Sequence, residues 1–248
     1  MASSPDDVAA AEARKFAIAV SACWAKNVGD ALIGVYLLGS LAHGGFSRRY
    51  SDIDIGVIAE GALDAATLDA MHRMAGEVSA EHAAKLSIFW TNRSFSAGRF
   101  PPLDRLDLID RHVALVERQY VGLPRPMLGD IRAYLVGAPM ANWRKAIDAF
   151  AAADALAPKD RKSYLRAHLY PARFIFSFMT GAMTSNDDAV AYLARFAPVG
   201  LDVDLIRRAL AIRLAAADPD ELFPERTALP QQFAACAALV AESATEQP

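Results

Sequence analysis

The chain has 248 residues, a formal net charge of −3 and 54% hydrophobic side chains, enough apolar surface for one large core or two modest ones. A balance this close to neutral carries no blanket basic signal, which argues against nucleic acid as a partner held through its phosphate backbone. Acids stand where a secretory leader would carry its basic region, and no apolar run reaches the roughly 20 residues of a spanning helix. The expectation is a cytoplasmic protein without a membrane partner.

Ser4 before Pro5, followed by Asp6 and Asp7, marks a helix start, and apolar positions continue at helical spacing to Gly29. The runs LIGVYLL (32–38) and DIDIGVI (52–58) are rich in β-branched and aliphatic residues and read as a hairpin-like pair of strands. A Gly-Ser turn and a polar stretch separate them. ALDAATLDAMHRMAGEVSAEHAAK reads as a helix, LSIFW (86–90) as a third strand, PLDRLDLID as a short helix or turn, and HVALVE (112–117) as a fourth strand. GLPRP (122–126) then breaks both patterns, because two prolines and a glycine fall within five residues. Beyond it the segments are Ala- and Leu-rich, with acids or prolines near their starts, and none reads as a strand. The expected fold is α+β: a small mixed β-sheet domain with flanking helices over 1–122, followed by an all-α helical bundle over 123–248. Cys23 and Cys236 have no metal-site or disulfide spacing and read as buried small hydrophobes.

The second strand carries two carboxylates, Asp52 and Asp54, on alternate positions among Ile53, Ile55, Val57 and Ile58. Alternation puts both aspartates on one side and Ile53 and Ile55 on the other, toward a core. Two carboxylates held so close repel each other, and a divalent cation is their natural compensation. Oxygen ligands with open positions suit Mg²⁺, which keeps waters and binds through one or two carboxylates plus substrate phosphates. Upstream, Gly39 lets the backbone approach closely, and successive N–H groups with the Ser40 hydroxyl can cradle phosphate oxygens. A β-turn with Asx caps would need only one such aspartate.

Leu38, Gly39 and Ser40, then Asp52, Ile53, Asp54 and Ile55 after a spacer of about ten residues, resemble the signature of the nucleotidyltransferase superfamily that includes DNA polymerase β. GRFPPLDRLDL and YPARFIFSFMTG…DDAV look like corresponding stretches of the two-domain streptomycin/spectinomycin adenylyltransferases. The resemblance implies Mg²⁺-dependent transfer of a nucleoside monophosphate, from ATP as the expected nucleoside triphosphate, to a hydroxyl of a small aminoglycoside-like molecule. In that reading Asp52 and Asp54 are the catalytic metal ligands, Gly39, Ser40 and Ser51 bind the nucleotide, Arg173 neutralises phosphate charge, and the site lies in the cleft between domains.

Departures from that pattern support a second reading. The family places a third carboxylate on the following strand, where this chain has Ser87, which neither binds Mg²⁺ strongly nor accepts a proton at neutral pH. A lysine of the helical domain is likewise replaced by Asn186. These changes point to a nucleotide-binding or regulatory protein that has lost its chemistry. A toxin-antitoxin nucleotidyltransferase acting on a protein or RNA is a third reading, against which the large helical half speaks. Asp104, Asp107 and Asp110 could supply a base, but DRLDLIDR reads more simply as an amphipathic helix with a solvated charged face. His43 could touch phosphate, and Arg48 and Arg49 could steer an anion, although charged loop pairs are usually solvated. His72, His82, His112 and His168 form no catalytic constellation and read as surface or partly buried structural residues. Trp90 and Phe100 read as core, and Tyr170 and Arg173, three apart on one helix, share a face. Asp148, Asp154, Asp187 and Asp188 are candidates for the acidic wall a cationic acceptor would need.

Overall fold

In the computed structural model, which describes residues 4–119 and 121–245, the chain divides into two compact units between Pro126 and Met127. The expected boundary at 122/123 falls four residues earlier, at the start of the Gly-Pro segment.

The first unit opens with α1 (Pro5–Asn27), whose start is set by a reciprocal cap: the Ser4 hydroxyl accepts from the Asp7 N–H and the Asp7 carboxylate accepts from the Ser4 N–H. Phe16, Ala17, Val20 and Trp24 form the buried stripe of α1, and the Trp24 indole N–H donates to the Met71 carbonyl at 3.0 Å. Strand β1 (Leu32–Leu37) leads into a five-residue helix α2 (Gly39–His43) where the sequence suggested only a turn. Strand β2 (Ile53–Ala59) follows, then α3 (Ala65–Val78) and α4 (Ala80–Ala83), and strand β3 (Leu86–Asn92). A two-residue edge strand, β4 (Gly98–Arg99), was not expected from the sequence, being too short to carry a period. Helix α5 (Pro102–Asp110) and strand β5 (Val113–Glu117) complete the unit.

The five strands form one mixed sheet in the order β4-β3-β2-β1-β5. β1 pairs antiparallel with both β2 and β5, while β2 and β3 run parallel, joined by the crossover through α3 and α4. Alternation sorts the side chains as the sequence suggested. Ile53, Ile55 and Val57 join Val35, Leu37 and the α1 stripe in one core, each worth about 1.5–3 kcal/mol of burial. The opposite face carries Asp54, and beyond it a smaller cluster of Tyr36, Leu38, Ile58, Phe100 and Leu108.

The second unit is helical throughout its described residues: α6 (Leu128–Val136), α7 (Ala138–Ala151), α8 (Arg161–Thr180), α9 (Asn186–Phe196), α10 (Val203–Leu214) and α11 (Leu229–Thr245). A 3₁₀ segment, Pro219–Ala228, precedes α11. α8 is the central element, burying Tyr164, Leu165, His168, Phe174 and Phe178. His168 is 1% exposed, deeper than the surface or partly buried setting expected of it, because it sits on the inward stripe of α8 edge-on to the Tyr164 ring. Desolvation of its cationic form pushes its pKa down to about 4. Cys236 is buried, and its thiol is pushed up to about 12, whereas Cys23 is only half-buried. No helix among the described residues is long and apolar enough to cross a membrane.

Candidate active site

Gly39 is the point on which the first unit's polar residues converge. It has φ +63°, and a Cβ added there would meet Asp54 Oδ2 at 2.5 Å, so only glycine lets the chain pass this close to the carboxylate. The Leu38 N–H donates to the Asp54 carbonyl at 2.9 Å, fastening the end of β1 to β2 at this position. Ser51, Asp52, Ile53, Asp54 and Ile55 alternate between buried and half-buried, so both aspartates lie on the more open side while the isoleucines fill the core. Asp52 immediately precedes β2, and Asp54 is its second residue.

The two serines expected near the phosphates, Ser40 and Ser51, are tied to each other and to Ser47 in a way a simple turn would not provide. The Ser40 hydroxyl donates to Ser51 Oγ at 3.1 Å, and Ser51 Oγ also accepts the Ser47 N–H at 3.0 Å. Ser47 and Ser51 are both buried, so this network shapes the connection between α2 and β2. Arg14 adds an anchor from α1, its guanidinium donating twice to the Leu41 carbonyl, at 3.1 and 2.8 Å.

Asp107 is the residue that the sequence reading misplaced. Read as part of a solvated helix face, it is 3% exposed, and its Oδ2 accepts the Gly39 N–H at 2.6 Å. Its Oδ1 lies 3.5 Å from His43 Nε2. Asp107 lies four residues after Leu103 and between the buried Leu106 and Leu108 of α5, a pattern that by itself does not separate it from Asp104 and Asp110. Asp110 does face out, in a two-pronged pair with Arg125 at 2.6 and 2.8 Å, and Asp104 is half-buried.

Ser87 stands beside Asp54 in the parallel register of β2 and β3, where the expected third carboxylate would be. Phe100 is core, as read, and Trp90 is half-buried on the opposite face. Arg48 pairs with Asp6 near the start of α1, and Arg49 lies over the Tyr50 ring, so both are held at the surface. His82 stacks on Phe16, and His112 donates from Nδ1 to the Leu108 carbonyl at 2.5 Å, both in supporting roles. In the second unit, Arg173 is exposed on α8 and Tyr170 is half-buried against Trp143, with ring centroids 4.4 Å apart. Asn186 is the first residue of α9, next to the Ser185 cap. Asp148 pairs with Arg144 on one helix face, Asp188 accepts from the Thr184 hydroxyl, and Asp154 and Asp187 are exposed.

Asp52 and Asp54, both half-buried and at alternate positions, are oxygen donors of the kind Mg²⁺ takes together with water and phosphate. Among the described residues no group of three or more His, Cys, Asp or Glu could hold a metal by itself, so a cation here would rely on those exchangeable ligands.

No protein-family model matches the sequence, and no curated protein matches it significantly. Among solved structures, the chain is similar to the spectinomycin adenyltransferase AAD(9) from Enterococcus faecialis, solved with ATP and spectinomycin. The TM-score is 0.66 at 14% identity, over 91% of this chain and 98% of that one. A toxin-antitoxin structure solved with AMP-PNP matches over 52% of this chain and 90% of its own, at 16% identity and a TM-score of 0.31. A likeness that low carries no argument. The chain therefore shares the α+β fold of that adenyltransferase along nearly the full length of both chains.

Proposed function

We propose that the protein is a nucleotidyltransferase that moves a nucleoside monophosphate from a nucleoside triphosphate, ATP in the leading reading, to a hydroxyl of a small molecule. One observation carries the reading: the Asp54 carboxylate lies directly against the Gly39 backbone, beside the linked hydroxyls of Ser40 and Ser51. That arrangement supports binding of an anionic phosphate chain and its cation at one place. Asp52 and Asp54 would hold Mg²⁺, which when bound offsets the charge that builds on the phosphoryl oxygens. Ser40 offers its backbone to the phosphates, and its hydroxyl, which donates to Ser51 in this structure, reaches a phosphate oxygen by turning away from that bond. Gly39 contributes the close approach of its backbone, since its N–H is engaged by Asp107. Arg173 supplies a forked guanidinium for phosphate charge in this reading. The acceptor class is a small, cationic, aminoglycoside-like compound, by analogy of fold with the spectinomycin adenyltransferase.

The test is transfer of label from α-labelled nucleoside triphosphates, with Mg²⁺, into a panel of aminoglycosides and a small-molecule cell extract. Label should appear in a product with the unmodified protein, vanish with Asp54→Asn, and vanish on chelation of the metal. Persistence of transfer in Asp54→Asn would refute the assignment.

The pairing of Ser87 with Asp54 supports the second reading, a nucleotide-binding protein without transfer chemistry. Ser87→Glu separates the two. Transfer arising from an inactive protein supports the second reading, and loss of existing transfer supports the first.

A further inference from the structure

We propose that Asp107 is a positioning residue for the nucleotide site, fastening the N-terminal end of α2 so that the Gly39–Ser40 backbone is held ready for phosphate. The inference rests on the nucleotide-binding reading above and assigns a role to a carboxylate that the reading does not use.

The first N–H groups of any helix lack partners within it, and a side chain at the N-cap commonly supplies one. In α2 the N-cap is Leu38, which makes no side-chain cap bond. Asp107 replaces it from 68 residues away, accepting the Gly39 N–H at 2.6 Å. A carboxylate at this end also lies favourably with respect to the backbone dipoles of α2. Its second oxygen lies 3.5 Å from the ring of His43, the last residue of α2. One buried side chain thus touches the first and last residues of the helix. The carboxylate is not free to rotate away, because α5 carries Leu106 and Leu108 into the interior on either side of it.

A five-residue helix has little stability of its own. The conformation of α2 is therefore imposed by its contacts: Arg14 on the Leu41 carbonyl, Ser51 on Ser40, and Asp107 on Gly39 and His43. Of these, Asp107 alone reaches the residue with φ +63° that lies against Asp54. Loss of this fastening would let the Gly39 peptide turn, and the spacing between the Ser40 backbone and the Asp54 carboxylate would no longer be fixed. Preorganisation of this kind shows in affinity, because binding would then have to order the segment.

The experiment is calorimetric titration of each of the four nucleoside triphosphates, with Mg²⁺, into the unmodified protein, Asp107→Asn and Asp107→Ala, with melting temperatures recorded alongside. Asparagine keeps an oxygen that can accept the Gly39 N–H, and alanine keeps nothing. The expected result is affinity weakened by about tenfold or more in Asp107→Ala, a usual scale for groups that support a binding residue from behind. Asp107→Asn should recover part of that loss. A purely structural role would lower the melting temperature of both variants and leave the affinity of the folded protein unchanged, which would overturn the inference. Tighter binding in Asp107→Ala would also overturn it, since the carboxylate would then be competing with phosphate for the Gly39 N–H. Should Asp107→Ala fail to fold, unchanged affinity in Asp107→Asn and in Asp107→Ser would overturn it, and graded weakening from Asn to Ser would support it. Binding of no nucleotide by the unmodified protein would refute the nucleotide-binding reading itself, and this inference with it.

Discussion

Replacing Gly39 by alanine tests the site through a contact whose two components can be separated. Gly39 has φ +63°, where a residue with a Cβ costs about 1–2 kcal/mol. Gly29 has nearly the same φ, +67°, but a Cβ there would meet nothing within 4 Å. Gly29→Ala therefore reports the backbone cost alone, a fall in melting temperature of about 2–4 °C per kcal/mol for a chain of this size. Gly39→Ala adds a Cβ 2.5 Å from Asp54 Oδ2, closer than real Cβ contacts come, so the carboxylate or the backbone must move by several tenths of an ångström. A displacement of that order at a site that positions reacting groups costs up to about 100-fold in rate. The assay is label transfer beside thermal unfolding for both variants. Gly29→Ala should lose stability and keep its transfer rate, whereas Gly39→Ala should lose at least about as much stability and most of its transfer. Equal rates in the two variants would refute the reasoning that the Gly39 backbone and the Asp54 carboxylate share a working site.

Ser51→Ala removes the acceptor of the buried Ser47 N–H and of the Ser40 hydroxyl, and should cost about 1–3 kcal/mol in chemical denaturation, with a raised KM for nucleotide. The buried His168 is held neutral, with its pKa pushed down to about 4 from an unfolded value near 6.5. Because the unfolded chain takes up the proton first, stability should fall as pH drops from about 6.5 to about 4, by roughly 3 kcal/mol in all. Denaturation across that window should show the loss, and His168→Leu should flatten it. Tyr164→Phe removes the hydroxyl that donates to the Leu222 carbonyl at 2.7 Å, and should destabilise the second unit by about 1 kcal/mol in denaturant titration.

The division of the chain into a mixed α/β half and a helical half follows from local patterns: β-branched runs with period two before the Gly-Pro segment, and helical spacing after it. The placement of Asp52 and Asp54 on the side opposite Ile53 and Ile55 was equally legible, since alternation along a strand is a local property of the backbone. The need for a glycine at 39 was legible as a close approach of the backbone after a strand, but that the group it approaches is the Asp54 carboxylate came only from the fold. Local pattern was less informative where an element is short: α2 was read as a turn, because five residues carry too little period to distinguish the two, and β4 has only two.

Asp107 shows where sequence reasoning stops. Its helix was correctly expected, but an amphipathic pattern with acids at 104, 107 and 110 does not say which of them turns inward. The sheet decides it, by placing α5 over the face that carries Leu38 and Phe100, so that Leu106 and Leu108 are drawn in and Asp107 goes with them. A carboxylate accepts burial only when a donor meets it, and the Gly39 N–H meets it from 68 residues away. His168 is the parallel case in the second unit, where burial on α8 was invisible until the surrounding helices enclosed it. Sequence alone therefore determined the longer elements and the shared side of the aspartate pair, because these depend on neighbours along the chain. Only the tertiary structure decided which charged and titratable groups are buried and what meets them, because desolvation and hydrogen-bond partners depend on neighbours in space.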